Sequence, residues 1–240
     1  MIFLVTGGAG FIGIHTSILL LEKGFNVIII DSLANSSHKA IERLLEFNSS
    51  LSNLSKSNLR FSKGDVRDLS FLRKVFDDQN QLDNPIDLVI HFAGLKAVNE
   101  SISHPDLYWD NNVNGTLQLL KVMEENNCTK IVFSSSATVY SINEKSPLNE
   151  KSKLSPVNPY GKTKLAVEEI LKNLSKKPNC SLQIISLRYF NPIGAHPSGL
   201  FGESPLDTPN NLFPYLCDVG NSKREVLSIY GKDWPTSDGT

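Results

Sequence analysis

Three glycines spaced three residues apart, Gly7, Gly10 and Gly13, restrict what this chain can become more than any other stretch of it. Ile2, Phe3, Leu4 and Val5 precede them as a short continuous apolar run, the pattern of a parallel strand buried on both faces. Ile14, Ile18, Leu19 and Leu21 follow at helical spacing. Strand, glycine turn and helix together form the finger on which a dinucleotide can rest. Gly7 permits the tight turn, Gly10 lets backbone amides approach a pyrophosphate, and Gly13 lets the helix lie close to the strand. The helix start adds free N–H groups and partial positive charge for the phosphates. A second apolar run, at 27–30, ends on Asp31. An acid there accepts hydrogen bonds from the ribose hydroxyls of NAD and repels the 2′-phosphate of NADP, so NAD is the expected cofactor.

Further apolar runs at 59–61, 86–91, 130–134 and 182–187 continue the strand series, and helical patterns near 38–47, 69–76, 105–125 and 160–175 separate them. That alternation predicts an α/β fold, a doubly wound parallel sheet of Rossmann type. With 240 residues, 40% of them hydrophobic, the chain can bury one large core and carry a small lobe. Residues 48–58, rich in Ser and Asn, read as a surface loop. Val113, Leu117, Leu120 and Met123 form a helical stripe whose simplest reading is core packing. After Asn191, Pro192, Pro197, Pro205, Pro209 and Pro214, with Gly194, Gly199 and Gly202, break regular structure repeatedly. The expected division is an NAD-binding domain over 1–190 and an incomplete substrate-binding lobe over 191–240, with the ending Asp238-Gly239-Thr240 reading as a truncation.

The balance of 24 basic and 25 acidic residues, net charge −1, gives no reason to expect nucleic acid or an anionic membrane as partner. The opening apolar run lacks a basic lead and a cleavage site and is too short to span a bilayer, so neither a signal peptide nor a membrane span is expected. Cys128, Cys180 and Cys217, at unrelated spacings, read as reduced thiols of a cytoplasmic protein with no metal pattern. Asn48-Ser-Ser and Asn53-Leu-Ser match the glycosylation acceptor pattern, which carries no weight without a secretory signal.

The run at 130–134 leads into Ser134-Ser135-Ser136-Ala137-Thr138-Val139-Tyr140. Ligands of an open parallel sheet gather at the carboxyl ends of its strands, so Ser136 is expected to face the cofactor crevice. Twenty-four residues later Tyr160 opens a helix, and Lys164, four further on, shares its face. A free tyrosine has a pKa near ~10 and is a poor base at pH 7; lowering it by about three units takes roughly 4 kcal/mol. One ammonium about 4 Å away at an effective dielectric of about 20 supplies that order, and a cationic nicotinamide would add more. The expected assignment is Tyr160 as base, Lys164 as its electrostatic partner, and Ser136 holding the substrate hydroxyl and sharing the proton.

On these residues the chain resembles the extended short-chain dehydrogenase/reductase superfamily and, more narrowly, the UDP-glucose 4-epimerase family within it. The matching text comprises Thr6-Gly-Gly-Ala-Gly-Phe-Ile-Gly13, Gly64-Asp-Val-Arg67, His91-Phe-Ala-Gly-Leu-Lys-Ala97, Asp110-Asn-Asn-Val-Asn-Gly-Thr116, Ser134 to Tyr140, and Pro159-Tyr-Gly-Lys162. Leu187-Arg-Tyr-Phe-Asn-Pro192, Gly194-Ala-His-Pro-Ser-Gly199 and Pro209-Asn-Asn-Leu212 complete it. The resemblance implies a pyrophosphate site at Phe11 and Ile12, and an adenosine ribose among Asp31, Ser32, Leu33, Ala34, Asn35 and Ser36. It implies Asp65 and Val66 around the adenine, Phe92, Ala93, Gly94, Leu95, Lys96 and Asn111 along the cofactor cleft, and Phe190 near the nicotinamide. Substrate contacts are implied for Lys96, Ser136, Tyr160, Asn191, Asn210, Asn211 and Leu212, and for a strand of Ser228, Ile229 and Tyr230.

The activity so implied is interconversion of UDP-galactose and UDP-glucose, with hydride leaving sugar C4 and returning to the other face of a transient 4-keto sugar. A homodimer is also implied, through the helices at 106–123 and 160–175. Ser141 stands where the family usually has glycine, and it is expected to perturb a loop. Two rivals stand beside this reading. A nucleotide-sugar 4,6-dehydratase needs an acid/base pair, which its family places as Asp-Glu directly after the serine or threonine; here those positions are Ala137 and Thr138. A non-catalytic NAD-binding protein could share the fold, but such proteins commonly lose the tyrosine or the lysine.

Overall fold

The computed structural model describes residues 1–51, 58–178, 180–203, 209, 211–229, 231, 233, 234 and 239. Six strands form one sheet: β1 (Ile2–Thr6), β2 (Asn26–Asp31), β3 (Leu59–Lys63), β4 (Leu88–His91), β5 (Lys130–Ser136) and β6 (Gln183–Tyr189). Their spatial order is β3-β2-β1-β4-β5-β6, and every neighbouring pair is parallel. Chain order therefore reverses direction between β1 and β4, and the loops leaving those two strands open the crevice in which such sheets bind ligands. The expected doubly wound α/β fold is the observed one.

Alternation within strands builds two cores, one on each face. Ile2, Leu4, Ile28 and Ile30 point to one face, where they meet α3 (Leu69–Asn80), α6 (Gly115–Glu125) and α7 (Pro159–Leu174) through Leu72, Leu119 and Val167. Phe3, Val5, Val27 and Ile29 point to the other, against α1 (Phe11–Glu22) and α2 (His38–Ser50) through Ile18, Leu21, Ile41 and Leu44. Burial on both faces is why β1 reads as an unbroken apolar run. Phe201, from the proline-rich stretch after β6, inserts into this second core with its ring edge-on to Phe47. β6 is an edge strand, and Ile185 and Leu187 on it are exposed.

Several elements differ from their sequence reading. α2 continues through Ser50, so the expected loop at 48–58 begins later; its residues 52–57, with Asn53, lie outside the described residues. The single helix expected at 105–125 is a composite of α5 (Pro105–Tyr108), a π-helical segment (Trp109–Asn114) and α6, preceded by a separate α4 (Val98–Ser103). The wide π turn resets the helical phase, so Val113, Leu120 and Met123 are buried as expected while Leu117 is 44% exposed. Ser228 and Ile229 lie in no strand and are exposed, while Tyr230 is outside the described residues. In place of the expected strand, α8 (Leu212–Gly220) is the regular element described in that region. Ser141 is buried, and its amide donates to the Lys153 carbonyl at 2.9 Å.

Candidate active site

The crevice is shaped first by backbone. Gly7 sits at φ +65, and a Cβ there would lie 2.5 Å from the Ala93 amide nitrogen, so the loops after β1 and β4 touch only because Gly7 has no side chain. A Cβ on Gly13 would lie 2.5 Å from the Gly7 carbonyl oxygen, whereas one on Gly10 would meet only that oxygen, at 3.3 Å. α1 starts from Gly10 with no side-chain cap and no acid in its first turn. The amides of Phe11 and Ile12 accordingly find no acceptor among the described residues. Open amides at a positive helix end, beside a glycine with space around it, fit a pyrophosphate.

Asp31, at the end of β2, is buried and organises the neighbouring loop. Its Oδ2 accepts from the Ala9 amide at 3.0 Å, and its Oδ1 accepts from the Leu33 amide and the Ser36 hydroxyl, each at 2.8 Å. A carboxylate offers about four acceptor positions, so about one is left for a ribose hydroxyl. Ser32, Ala34 and Asn35 surround it on a loop in which Leu33 takes φ +62. Asp65 pairs with Arg67 at 2.7 Å, which holds its carboxyl below the usual range, and Val66 is buried beside Gly115.

At the other half of the crevice, Ser136 closes β5 and caps a short 3₁₀ turn (Ala137–Val139). Its oxygen accepts from the Thr138 amide at 3.2 Å and from the Thr138 hydroxyl at 3.0 Å. Both lone pairs are thus engaged, leaving the Ser136 proton free to point at the Tyr160 phenol. Tyr160 stands at the start of α7 because Asn158 caps that helix through the Gly161 amide at 2.7 Å and Pro159 fills its first turn. Its own amide donates to the Ser101 hydroxyl at 3.2 Å.

The electrostatics correct the sequence reading. Burial pushes the Tyr160 phenol above its ordinary pKa, and only the Ser136 hydroxyl pulls it back down. Lys164 does not deliver the lowering expected of it. Its Nζ donates to the Ser134 carbonyl at 2.8 Å and lies 5.8 Å from the centre of the Tyr160 ring. Burial brings its own pKa down to about 8, so the ammonium is itself weakened. At the phenol desolvation outweighs attraction.

Asn111, expected in the cleft, donates to its neighbour Asn112 at 3.0 Å. Asn112 is the residue that does the bracing. It exchanges two hydrogen bonds with Leu95, at 2.8 and 3.0 Å, and donates to the Thr163 hydroxyl at 3.2 Å. The β4 loop and the Tyr160 helix are thereby joined through the π turn. The Asn111-Asn112 doublet signalled this, but only the phase of the wide turn decides which member points inward. His91 was also missed: buried at the end of β4, it lies between the Thr6 hydroxyl at 2.6 Å and the Thr116 hydroxyl at 2.9 Å. Lys96 is exposed, with Glu203 3.9 Å away, and Glu203 also accepts from Asn211 at 2.8 Å. Phe190 is exposed with its ring 6.3 Å from that of Tyr140. Phe92, Ala93 and Gly94 line the β4 loop, Asn191 follows β6, Leu212 begins α8, and Asn210 lies outside the described residues. No group of His, Cys, Asp and Glu among the described residues could hold a metal ion, and no described helix is long and apolar enough to cross a membrane.

The sequence profile of the family described as GDP-mannose 4,6 dehydratase matches residues 4–238. A bifunctional UDP-glucose 4-epimerase and UDP-xylose 4-epimerase of Pisum sativum is 52% identical over 99% of this chain and 65% of its own length. The chain thus spans just under two thirds of that relative. Among solved structures, UDP-glucose 4-epimerase from Bifidobacterium longum in complex with NAD+ and UDP is 46% identical, with a TM-score of 0.88 over 100% of this chain and 68% of that one. UDP-glucose-4-epimerase from Stenotrophomonas maltophila, with bound NAD and formylated UDP-arabinopyranose, is 39% identical, with a TM-score of 0.89 over 100% and 68%.

Proposed function

The chain belongs to the UDP-glucose 4-epimerase family, and from that premise we propose that it interconverts UDP-galactose and UDP-glucose using bound NAD. The observation that supports the proposal is the docking of the Tyr160 helix on the end of β5, where Lys164 Nζ reaches the Ser134 carbonyl two residues before Ser136, in the same parallel sheet whose β1 leads into the glycine finger. The open amides of Phe11 and Ile12 suit the pyrophosphate, and the buried Asp31 suits a ribose hydroxyl while opposing a 2′-phosphate. NAD held there would supply the hydride acceptor for sugar C4 and the source of hydride for its return to either face of that carbon.

The chain's own residues handle the proton. Tyr160 accepts it from the 4-hydroxyl, and Ser136, whose lone pairs Thr138 engages, holds the sugar oxygen with its single proton, which it can turn there from the phenol. Since burial alone disfavours the phenolate, ionisation of Tyr160 waits on added positive charge in the crevice. Lys164, whose Nζ donates to the Ser134 carbonyl, is assigned to hold a ribose. Lys96, Asn191, Asn210, Asn211 and Leu212 are assigned to the UDP-sugar, as are Ser228, Ile229 and Tyr230, on the start of a substrate lobe at 191–240 after the NAD-binding domain at 1–190. Anchoring the nucleotide uses remote binding energy while the sugar turns.

Thr138 also weighs against dehydration. A dehydratase needs an acid/base pair after the serine, whereas Ala137 has no functional group and Thr138 points back at Ser136. A homodimer through 106–123 and 160–175 belongs to the proposal, supported by the exposed Leu107, Trp109 and Leu117 within the first of these segments. So does a cytoplasmic location, supported by three free thiols. The deciding experiment mixes full-length protein with UDP-galactose and no added NAD. UDP-glucose is the expected product, and either a dehydrated 4-keto sugar or no turnover at all refutes the assignment.

A further inference from the structure

Resting on the assignment of Tyr160 as proton carrier, we propose that Glu168 is a positioning residue for the reaction: with Ser135 and Arg188 it fixes the catalytic helix against the strand that carries Ser136. Three consecutive serines end β5, and each holds a different residue of α7. The Ser134 carbonyl accepts from Lys164 at 2.8 Å, the Ser135 hydroxyl donates to the Glu168 carboxylate, and the Ser136 hydroxyl is the group that draws the Tyr160 pKa down. Tyr160, Lys164 and Glu168 are four residues apart and form one stripe down the helix. Two contacts of this set belong to the reacting chemistry. The third is two turns from the phenol, about 12 Å along the axis, which is too far to move a proton.

What Glu168 does control is the height and rotation of α7. Arg188 of β6 grips it with a fork, Nε to Oε1 at 3.0 Å and Nη2 to Oε2 at 2.7 Å. The two side chains are only 10% and 17% exposed, so water competes little for the pair. A two-pronged guanidinium–carboxylate contact is directional as well as strong. Arg188 Nη1 also donates to the Tyr140 hydroxyl at 3.1 Å, extending the clamp to the ring that faces Phe190. One carboxylate thus joins β5, β6 and α7 beside Ser136. A shift of about 1 Å between catalytic groups costs on the order of 10²-fold in rate. The Ser136–Tyr160 separation is the distance this clamp sets.

The test uses full-length protein with UDP-galactose, measuring kcat, KM, bound NAD and Tm for the parent, Ser135→Ala, Glu168→Gln and the double variant. Arg73→Gln, which breaks a similar fork to Glu125 between α3 and α6, serves as control. Glu168→Gln is expected to lower kcat by about 10- to 100-fold, and Ser135→Ala by about tenfold, with KM within about twofold and NAD content unchanged. The double variant is expected to be no slower than Glu168→Gln, because the contact that Ser135→Ala deletes runs to the same side chain whose fork with Arg188 is already broken. Arg73→Gln should leave kcat at the parent value. Unchanged kcat with a lowered Tm, strictly multiplying losses, or a loss of NAD alongside kcat would each overturn the proposal. Should Glu168→Gln fail to fold, Ser135→Ala, which deletes a single hydroxyl, decides alone. A parent without turnover would bring down the functional assignment first, and with it this inference, whereas an active parent with indifferent variants removes the inference only.

Discussion

The Asp31 carboxylate at the end of β2 accepts from the Ala9 amide inside the glycine finger, 3.0 Å away. The ribose-binding acid and the pyrophosphate-binding turn are therefore one mechanical unit. Asp31→Asn turns one acceptor oxygen into a donor, so either Ala9 or the Leu33–Ser36 pair must face an NH₂ group. The expected cost is about 1–3 kcal/mol of stability. NAD retained through purification should fall, and NADP should be disfavoured less. Equal discrimination against NADP in parent and variant would refute the role given to the acid.

The pH behaviour of turnover should report Tyr160. Burial holds its pKa above the ordinary value and Ser136 is the one group drawing it down, so Ser136→Ala should move the acid limb of the kcat/KM profile to higher pH. Tyr160→Phe should cost about 10² to 10⁴ in kcat, the range of a lost general base, with NAD still bound. A phenylalanine variant turning over at the parent rate would rule out the phenol as proton carrier.

Lys164 should leave a signature in the pH dependence of stability as well as in rate. Unfolded, it holds its proton up to its ordinary pKa of 10.5; folded, only up to about 8. Between those values the unfolded state binds the extra proton, so stability attributable to this residue rises with pH across that window. The full effect is on the order of 3 kcal/mol. Relative to parent, Lys164→Met should therefore be favoured most below pH 8 and lose that advantage by pH 10.5. Parallel melting curves at pH 7, 9 and 10.5 would check this, and a constant difference in Tm would contradict it.

His91 is expected to remain neutral with its proton on Nε2. The Thr116 hydroxyl donates to the Asn112 carbonyl at 2.6 Å, so it must accept from Nε2, and Nδ1 in turn accepts from Thr6. Burial drives its pKa down to about 3 from 6.5. Below 6.5 the unfolded chain takes up a proton that the folded one refuses, so stability falls as pH drops toward 3. Nitrogen NMR of the labelled imidazole should show one protonated and one bare ring nitrogen, unchanged from pH 8 to 5. A doubly protonated ring at pH 5 would show the threonines do not hold it as described.

Much of this protein follows from neighbours along the chain. The apolar runs, the glycine turn with its helix, Asp31 at a strand end, and Tyr160 four residues before Lys164 all depend on periods of two or about four residues. Local spacing determines such features whatever the rest of the molecule does. Pairings across the fold are another matter. Ser135 meets Glu168 across 33 positions, and Asn112 meets Thr163 across 51. Whether Asn111 or Asn112 points inward turned on a π segment whose phase no local pattern announces. The sign of the Tyr160 shift was likewise set by the fold, because desolvation depends on every group that excludes water from the phenol, and Lys164 is turned toward a strand carbonyl. Sequence determined which chemical groups the crevice holds; packing decided what each one touches and how easily it ionises.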